Sequence, residues 1–478
     1  MDKYKKLVNN SLVFAIGNFG SRIVSIILVP LYTYYLSTAE YGTVDLVTTT
    51  TTMLLPIISL SIYQAVFRFA MDSQESNSEV LTNSIMITII GAFIALFIYP
   101  VLSFFDISKN LLSYLYVILV FQAFQNLIAQ YARAIGKVKI FAFNGILQTL
   151  VLGISNIVFL IILSYGVNGY LLSIVLSNII SIIYLSVSIN ILKDIKFNKI
   201  NQSLIKNMLK FSIPLIPNSF MWWLINASNR YFIIYFRGVE VNGLFSVANK
   251  IPALLILFTS IFSQAWQMSA IDEYDSEDKS NFYSKIYNFY FVLLIFGTAF
   301  ILLILKLIIG KFLSPEYFES WEFVPFLLLG VVFSSLSGFL GTNYVASKET
   351  KGAFRTSVIG AFIALATNIA LVPYLGGIGA GLATMISFAV VWLIRIFDTR
   401  KFIIIEFDIK KTVLSLTVIF IQIAIMFLML EYIMELAIHA ILLMILLLMH
   451  KKTIKKITEL VYPLLSTILK KIGFNKEK

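Results

Sequence analysis

The sequence predicts an all-α integral membrane protein with about 14 transmembrane helices, arranged as two similar six-helix lobes followed by two further helices. Hydrophobic residues make up 59% of the chain and charged residues only 13%, whereas charged residues make up about 25% of a soluble domain. The apolar segments are about 20 to 29 residues long, and a helix of that length crosses a hydrocarbon core of about 30 Å. The third observation is a hydrophobic hairpin that occurs twice.

The chain can be divided into apolar spans joined by short loops. The predicted spans are 11–36, 43–71, 81–105, 111–135, 140–164, 168–192, 211–236, 243–271, 283–309, 321–346, 353–375, 377–400, 409–430 and 432–450. Their loops leave no room for a soluble domain. We therefore expect the protein to act inside or across the bilayer.

The distribution of lysine and arginine predicts the orientation of these spans. Basic residues cluster in alternate loops, and the opposite loops carry only Lys109, Arg237 and Lys311. Because basic loops stay in the cytoplasm, both termini are predicted to be cytoplasmic. The net charge of +12 then faces an anionic lipid leaflet and requires no nucleic acid. Residues 451–478 form a basic, amphipathic tail that is typical of a helix at the membrane surface.

The repeated hairpin predicts how the chain is organised. A turn at 37–42 joins two apolar helices, and a similar turn at 238–243 places Gly243 exactly 201 positions after Gly42. A second repeated pattern links 141–169 with 352–381. We predict an N-terminal lobe at 1–192, a basic linker at 193–210, a C-terminal lobe at 211–400, two further helices at 401–450, and the tail. Transporters built from repeats bind substrate between them.

Short motifs and the helix plan resemble a known family. Ala39-Glu40-Tyr41-Gly42, Gly377-Ile378-Gly379-Ala380-Gly381 and the six plus six plus two plan are similar to the polysaccharide transporters of the multidrug/oligosaccharidyl-lipid/polysaccharide (MOP) flippase superfamily. Within it, the Wzx-type flippases of O-antigen and capsule repeat units are the nearest likeness. The resemblance covers about residues 5–450.

The resemblance implies a function and a set of partners. Such proteins turn an undecaprenyl-pyrophosphate-linked oligosaccharide from the cytoplasmic to the outer leaflet of the bacterial cytoplasmic (inner) membrane. They do so by alternating access between two lobes around a cationic cavity. Membrane lipids are expected partners, as are the polymerase and chain-length proteins of the same pathway.

A pyrophosphate requires cations, and guanidinium groups pair with phosphate oxygens in a bidentate manner. Arg22 is the leading candidate because it lies near the middle of the first predicted span, where a charge is costly. Arg230 and Lys250 lie on the two arms of the second hairpin, and Arg68 ends the first hairpin. For each of these residues a structural pair or a snorkelling side chain is the alternative.

Other side chains inside the spans complete the predicted cavity. Asp45 pairs with an arginine, binds a coupling cation, or caps or pairs locally. Trp222 and Trp223 either stack on sugar rings or pack against lipid or the protein core. Prolines in the two hairpins are expected to bend their helices and act as hinges. These are Pro30, Pro56, Pro214, Pro217 and Pro252.

Several classes of chemistry are not expected from this sequence. The chain has no cysteine, and His439 and His450 are its only histidines, so no metal site or other cofactor is predicted. No phosphate-binding loop of the ATPases is present. ATP hydrolysis by this chain is therefore not expected to supply energy. A membrane enzyme of polysaccharide synthesis would normally have a sizeable outer loop or an acidic catalytic motif, and the sequence has neither, so the protein is predicted not to be an enzyme.

The cargo and the energy source stay open. The alternatives for the energy source are a gradient of a coupling ion, H⁺ or Na⁺, the membrane potential, and consumption of the substrate on the far side. Sodium coupling is in doubt because the helices that carry acidic sodium ligands in some relatives offer only Asn and Thr, at Asn218, Asn226, Asn229, Thr367 and Asn368. Alternative functions are a flippase of lipid II or a teichuronic acid precursor, and a drug/cation antiporter of the same fold.

Overall fold

The computed structural model describes residues 20–22, 24–71, 76–102, 109–196, 200–274, 276–347, 351–428 and 430–471. All regular secondary structure in these ranges is helical, which confirms the predicted all-α fold. Residues 1–19 and 23 lie outside the described part, and they include much of the first predicted span.

We number the helices in chain order. Helix α1 covers 20–22 and 24–35. The others are α2 Thr38–Ile58, α3 Ile62–Ala70, α4 Asn77–Leu102, α5 Lys109–Ala134, α6 Val138–Asn156, α7 Gly166–Ile189, α8 Gln202–Ser212, α9 Leu215–Ala227, α10 Asn229–Arg237, α11 Val239–Ala248, α12 Pro252–Asp272, α13 Lys279–Phe312, α14 Val324–Ala346, α15 Lys351–Asp398, α16 Ile409–Phe427 and α17 Tyr432–Lys471. Helix α6 continues into a π-helical segment, Ile157–Ile162.

Nine helices of the described part are long and apolar enough to cross a membrane, or up to eleven if each of two bent pairs counts as one span. Helix α15 contains two predicted spans. Gly376, with φ 55° and ψ −129°, interrupts the helical backbone between them. That positive φ is accessible to glycine without steric cost. The predicted count of fourteen and the cytoplasmic termini stay predictions.

The repeated turns are shorter than the sequence suggested. Ser37 is the N-cap of α2: its hydroxyl accepts from the Glu40 amide, and the Glu40 carboxylate accepts from the Ser37 amide. This capping box stabilises the first helical turn, so the expectation of a turn through 37–42 is wrong beyond Ser37. In the second hairpin Gly238, with φ 91°, separates α10 from α11, which begins at Val239. Both glycines of the repeat, Gly42 and Gly243, are therefore helical.

Contacts between Cα atoms divide the chain into two compact units. The first unit comprises 1–250, 313–317 and 364–380, and the second comprises 251–312, 318–363 and 381–478. This division does not test the predicted lobes and linker, which stay predictions.

The first unit contains two apolar cores. One consists of side chains of α3, α4, α5, α7 and α8, with Ile62, Leu81 and Leu127 fully buried. The other joins α2, α5 and α7 through Leu54, Leu119 and other apolar side chains. These cores fix the helices on which the candidate site residues lie.

The second unit contains a buried arginine near the end of α15. Arg395 is 4% exposed, and its guanidinium donates to the Ser337 carbonyl at 2.9 Å and the Thr356 hydroxyl at 3.0 Å. By sequence, Arg395 lies near the cytoplasmic end of the predicted span 377–400, where an arginine is usually a charge that sets topology. The structure instead places it inside the unit, where it joins α14 to both halves of α15.

The last helix differs from the prediction in length. Helix α17 covers 40 residues without a break, so the predicted final span continues directly into the predicted tail helix. The side chains of 456–471 lie outside the described part, and the surface position of the tail stays a prediction.

Candidate functional site

The two repeated hairpins pack directly against each other inside the first unit. A Cβ atom on Gly42 would lie 2.1 Å from the Val239 carbonyl oxygen, and one on Gly243 would lie 1.9 Å from the Thr38 carbonyl oxygen. Helices α2 and α11 therefore approach so closely that only glycine fits at either position. Small residues allow such close backbone contact between membrane helices.

Asp45 lies about one turn after Gly42 and forms the centre of a polar cluster. Its Oδ2 accepts from Arg230 Nε at 2.8 Å and from Asn242 Nδ2 at 3.3 Å. Its Oδ1 accepts from the Ser246 hydroxyl at 2.8 Å. Asn242 Nδ2 also donates to the Gly42 carbonyl at 3.0 Å. The cluster therefore fixes the contact that the two glycines allow.

The Asp45–Arg230 pair is largely removed from solvent. The side chains are 12% and 13% exposed, and Arg230 also donates to the Asn226 carbonyl at 3.2 Å and to Asn229 Oδ1 at 3.4 Å. An ion pair in such surroundings is maintained only when its remaining hydrogen-bonding groups are satisfied. Of the sequence-based alternatives for Asp45, the structure contains the pair with an arginine.

The cluster follows the symmetry of the repeat. Asp45 and Ser246 are 201 positions apart, as are Gly42 and Gly243, so equivalent residues of the two hairpins hydrogen-bond to each other. Their chemistry differs, because one copy has a carboxylate where the other has a hydroxyl. The register of the repeat is therefore the sequence signal that places Ser246 opposite Asp45.

A second group of contacts joins α2 to α9 and α10 below this cluster. Trp223 Nε1 donates to the Thr49 carbonyl at 3.2 Å, and the Thr50 and Tyr231 hydroxyls are 2.6 Å apart. The Trp223 ring also contacts Tyr231. Of the two predicted roles of Trp223, the structure contains helix packing. The neighbouring Trp222 is 44% exposed.

The remaining predicted cations have different surroundings. Arg22 is helical and half-buried, and it has no hydrogen-bond or ion-pair partner among the described residues. Lys250 is half-buried and follows the end of α11. Arg68 is exposed in the last turn of α3 and has an interaction partner.

The predicted hinge prolines fall into two groups. Pro56 precedes a 57° bend between α2 and α3, where Leu60 and Ser61 have positive φ. Pro214 is the N-cap of α9, and Pro252 begins α12. Pro30 and Pro217 lie inside continuous helix. The hinge roles of all five stay predictions.

Four tyrosines that the sequence analysis did not select gather near the start of α2. The Tyr32 and Tyr170 ring centroids are 4.8 Å apart, and Tyr41 contacts Tyr32, Tyr170 and Tyr317. The Tyr317 hydroxyl donates to the Leu36 carbonyl at 2.8 Å. This cluster packs the junction between α1 and α2, which the predicted topology places on the outer side.

No group of three or more metal-ligating side chains occurs within the described ranges. Together, the apolar helices, the packed repeat hairpins and the buried charged cluster define the class of the protein: a multi-pass helical membrane protein built around a repeated hairpin. The chain belongs to the polysaccharide biosynthesis protein family, whose sequence model matches residues 7–267, more than half of its length. The model of the lipid II flippase MurJ matches residues 310–448.

The sequence is also similar to a protein named for polysaccharide biosynthesis. A capsular polysaccharide biosynthesis protein, CapF of Staphylococcus aureus, is 27% identical over 254 residues, which cover 49% of this chain and 62% of that protein. The alignment thus spans less than two thirds of that relative.

Solved structures show the same fold at low sequence identity. An inward-facing multidrug resistance MATE family transporter matches with a TM-score of 0.67 at 14% identity, covering 80% of this chain and 95% of that chain. The lipid II flippase MurJ in an inward closed conformation matches with a TM-score of 0.67 at 15% identity, covering 93% of this chain and 100% of that chain.

Proposed function

We propose that this protein is a flippase that moves undecaprenyl-pyrophosphate-linked oligosaccharide repeat units, of O-antigen or capsule, from the cytoplasmic to the outer leaflet of the bacterial cytoplasmic membrane. The polysaccharide biosynthesis family and the flippase fold support a lipid-linked polysaccharide precursor as cargo. The repeat unit, the inner membrane and a coupling ion, H⁺ or Na⁺, are further parts of the proposal, as are the polymerase and chain-length partners.

Arg22 is the observation that carries the proposal. A half-buried guanidinium on a predicted span, with no counter-ion among the described residues, is available to an anionic ligand. Ionisable residues inside membrane proteins mark substrate pathways, and the two phosphoryl groups of the cargo match the fork of donors that arginine presents.

The Asp45–Arg230 cluster supplies the second element of the mechanism. It holds α2 against α11 while the cavity is open to the cytoplasm, and it separates as access alternates. Arg230 then exchanges the Asp45 carboxylate for water or for the phosphates of the cargo. Lys250 and Arg68 extend the cationic path, and the exposed Trp222 offers a ring face to a sugar.

The test measures export of labelled lipid-linked repeat units in cells that lack the gene, rescued by the wild type, Arg22→Ala or Arg22→Lys. We expect Arg22→Ala to insert and fold but to leave repeat units on the cytoplasmic face, and Arg22→Lys to restore part of the export. Arg355→Ala, at an exposed pair with Asp398, is the matched control and should export normally. Normal export in the deletion strain would refute the flippase proposal.

Lipid II is the second candidate cargo, because the MurJ model matches residues 310–448. The same strain separates the two candidates. Accumulated repeat units with normal lipid II export support the first, and accumulated lipid II with arrested wall synthesis supports the second.

A further inference from the structure

A polar cavity of about 190 Å³ lies in the first unit among α1, α5 and α6. Five of its lining side chains are carboxamides: Gln125, Asn126, Gln130, Asn144 and Gln148. None of the lining residues that the structure describes is charged. The Phe141 ring also lines it. In the predicted topology the cavity lies in the cytoplasmic half of the membrane, near the end of α5 and the beginning of α6.

Three of the carboxamides are held in place by α7. Gln148 Nε2 donates to Asn178 Oδ1 at 2.9 Å, and Gln125 Nε2 donates to the Ser181 hydroxyl at 3.2 Å. The Ser181 hydroxyl in turn donates to Asn144 Oδ1 at 2.8 Å. Polar groups fixed by a second layer of hydrogen bonds form a preorganised site.

The other two carboxamides have no hydrogen-bond partner among the described residues. Asn126 and Gln130 are half-buried and four residues apart on α5, so they lie on the same face of that helix. Both line the cavity. Each carboxamide offers two N–H donors and a carbonyl acceptor, and these groups are available to a molecule in the cavity.

The chemistry of the lining selects the ligand. A phosphate would require cations, a metal ion would require carboxylates, and an acyl chain would leave the carboxamides unpaired. A sugar ring presents adjacent hydroxyls that both donate and accept, which matches a carboxamide, and it has an apolar face for Phe141. The volume equals about six water molecules, which is comparable with one pyranose ring.

We propose that this carboxamide cavity binds one sugar ring of the lipid-linked oligosaccharide through its hydroxyl groups. The proposal rests on the proposed function and adds a neutral sugar subsite to the cationic path. The predicted topology places the cavity in the cytoplasmic half of the membrane, so cargo that enters from the cytoplasm reaches this subsite first. Recognition then depends on the sugar as well as on the pyrophosphate.

The test measures binding to the full-length protein in lipid nanodiscs with two probes. One probe is the lipid-linked oligosaccharide extracted from cells that lack this gene, and the other is undecaprenyl pyrophosphate without sugar. The variants are Asn126→Leu and Gln130→Met, which preserve side-chain size. Since neither carboxamide bonds to a described residue, both variants should fold, and melting curves check this. Gln122→Met, on α5 but outside the cavity lining, is the matched control.

We expect each variant to weaken binding of the sugar-bearing probe about fivefold, as for the loss of one neutral hydrogen bond, without changing the affinity for the bare lipid. Gln122→Met should match the wild type. If the variants bind the sugar-bearing probe as Gln122→Met does, the cavity holds only water and the sugar subsite is wrong, while the flippase proposal stands. If the wild type binds neither probe, the proposed function itself fails.

Discussion

At the scale of single residues, the Asp45–Arg230 pair decides how the two hairpins are held together. The carboxylate has three side-chain donors from α10 and α11, so each of its oxygens accepts a hydrogen bond and Arg230 compensates its charge. A pair of this kind stabilises weakly as a whole. It becomes costly when one partner is removed, since the other charge stays buried and unpaired.

This asymmetry gives a prediction for single and double variants. Asp45→Ala and Arg230→Ala should each destabilise the purified protein by about 3 kcal/mol, because each leaves one buried charge. The double variant should lose less stability than the sum of the two single losses, and the difference, the coupling energy, should be about 1 to 3 kcal/mol. Thermal unfolding in detergent measures all three.

The control for this cycle is Arg355→Ala. The Arg355 side chain is 63% exposed although its pair with Asp398 is 2.6 Å long, so its loss should cost less than about 1 kcal/mol. Additive effects of the Asp45 and Arg230 substitutions would contradict the coupling inferred from the structure.

Residues of the site differ in how readily the sequence shows them. Arg22, Asp45 and Arg230 stand out because a charge inside a span is costly and therefore rare. The pairing of Asp45 with Arg230 could not be read directly, since it depends on the packing of two hairpins that are 185 positions apart at this contact. Gln130 and Asn126 were missed because neutral carboxamides occur in membrane helices at much lower cost.

At the scale of helices, the contact between α2 and α11 depends on two glycines. Any Cβ atom at Gly42 or Gly243 would lie within 2.1 Å of a backbone carbonyl oxygen, whereas a close C···O contact is about 3.3 Å. The backbone itself would have to move by about 1 Å. The Ser246–Asp45 hydrogen bond of 2.8 Å would lengthen with it.

We therefore predict that Gly42→Ala and Gly243→Ala each lower the melting temperature and the yield of folded protein, with a cost of about 3 kcal/mol, the upper end for overpacked sites. Gly338→Ala in α14 is the control, because a Cβ atom there would meet no atom within 4 Å. An unchanged melting temperature for Gly243→Ala would mean that the helices are not in backbone contact.

Helices and bends could be predicted from the sequence where a single local feature of the sequence determines them. Hydropathy indicated the helices, and the repeat indicated that Gly42 and Gly243 are equivalent. The bend after Pro56 followed from a proline in a helix. The break at Ser228 between α9 and α10 has no glycine or proline to mark it. Helix α17 continues through the lysine-rich residues 450–456, where the loss of hydropathy suggested the end of a span.

At the scale of the whole molecule, the number of membrane crossings decides which loops reach each side. Helix α15 is 48 residues long, about 72 Å at 1.5 Å per residue, more than twice the hydrocarbon thickness. The non-helical backbone of Gly376 divides it. If this break is a loop on the outer side, α15 crosses twice, and the segment after it returns to the cytoplasm.

Because the chain has no cysteine, single-cysteine labelling tests this directly. Tyr374, beside the break at Gly376, is 80% exposed, and Ile404, in the segment after α15, is 61% exposed, so neither side chain is packed inside the protein. In spheroplasts, a membrane-impermeant maleimide should label Tyr374→Cys at once and Ile404→Cys only after permeabilisation. Lys206→Cys, at an exposed position of the predicted cytoplasmic linker, should behave like Ile404→Cys. Immediate labelling of Ile404→Cys would remove one predicted crossing and invert the side assigned to every later loop, including the basic tail, against the distribution of lysine and arginine.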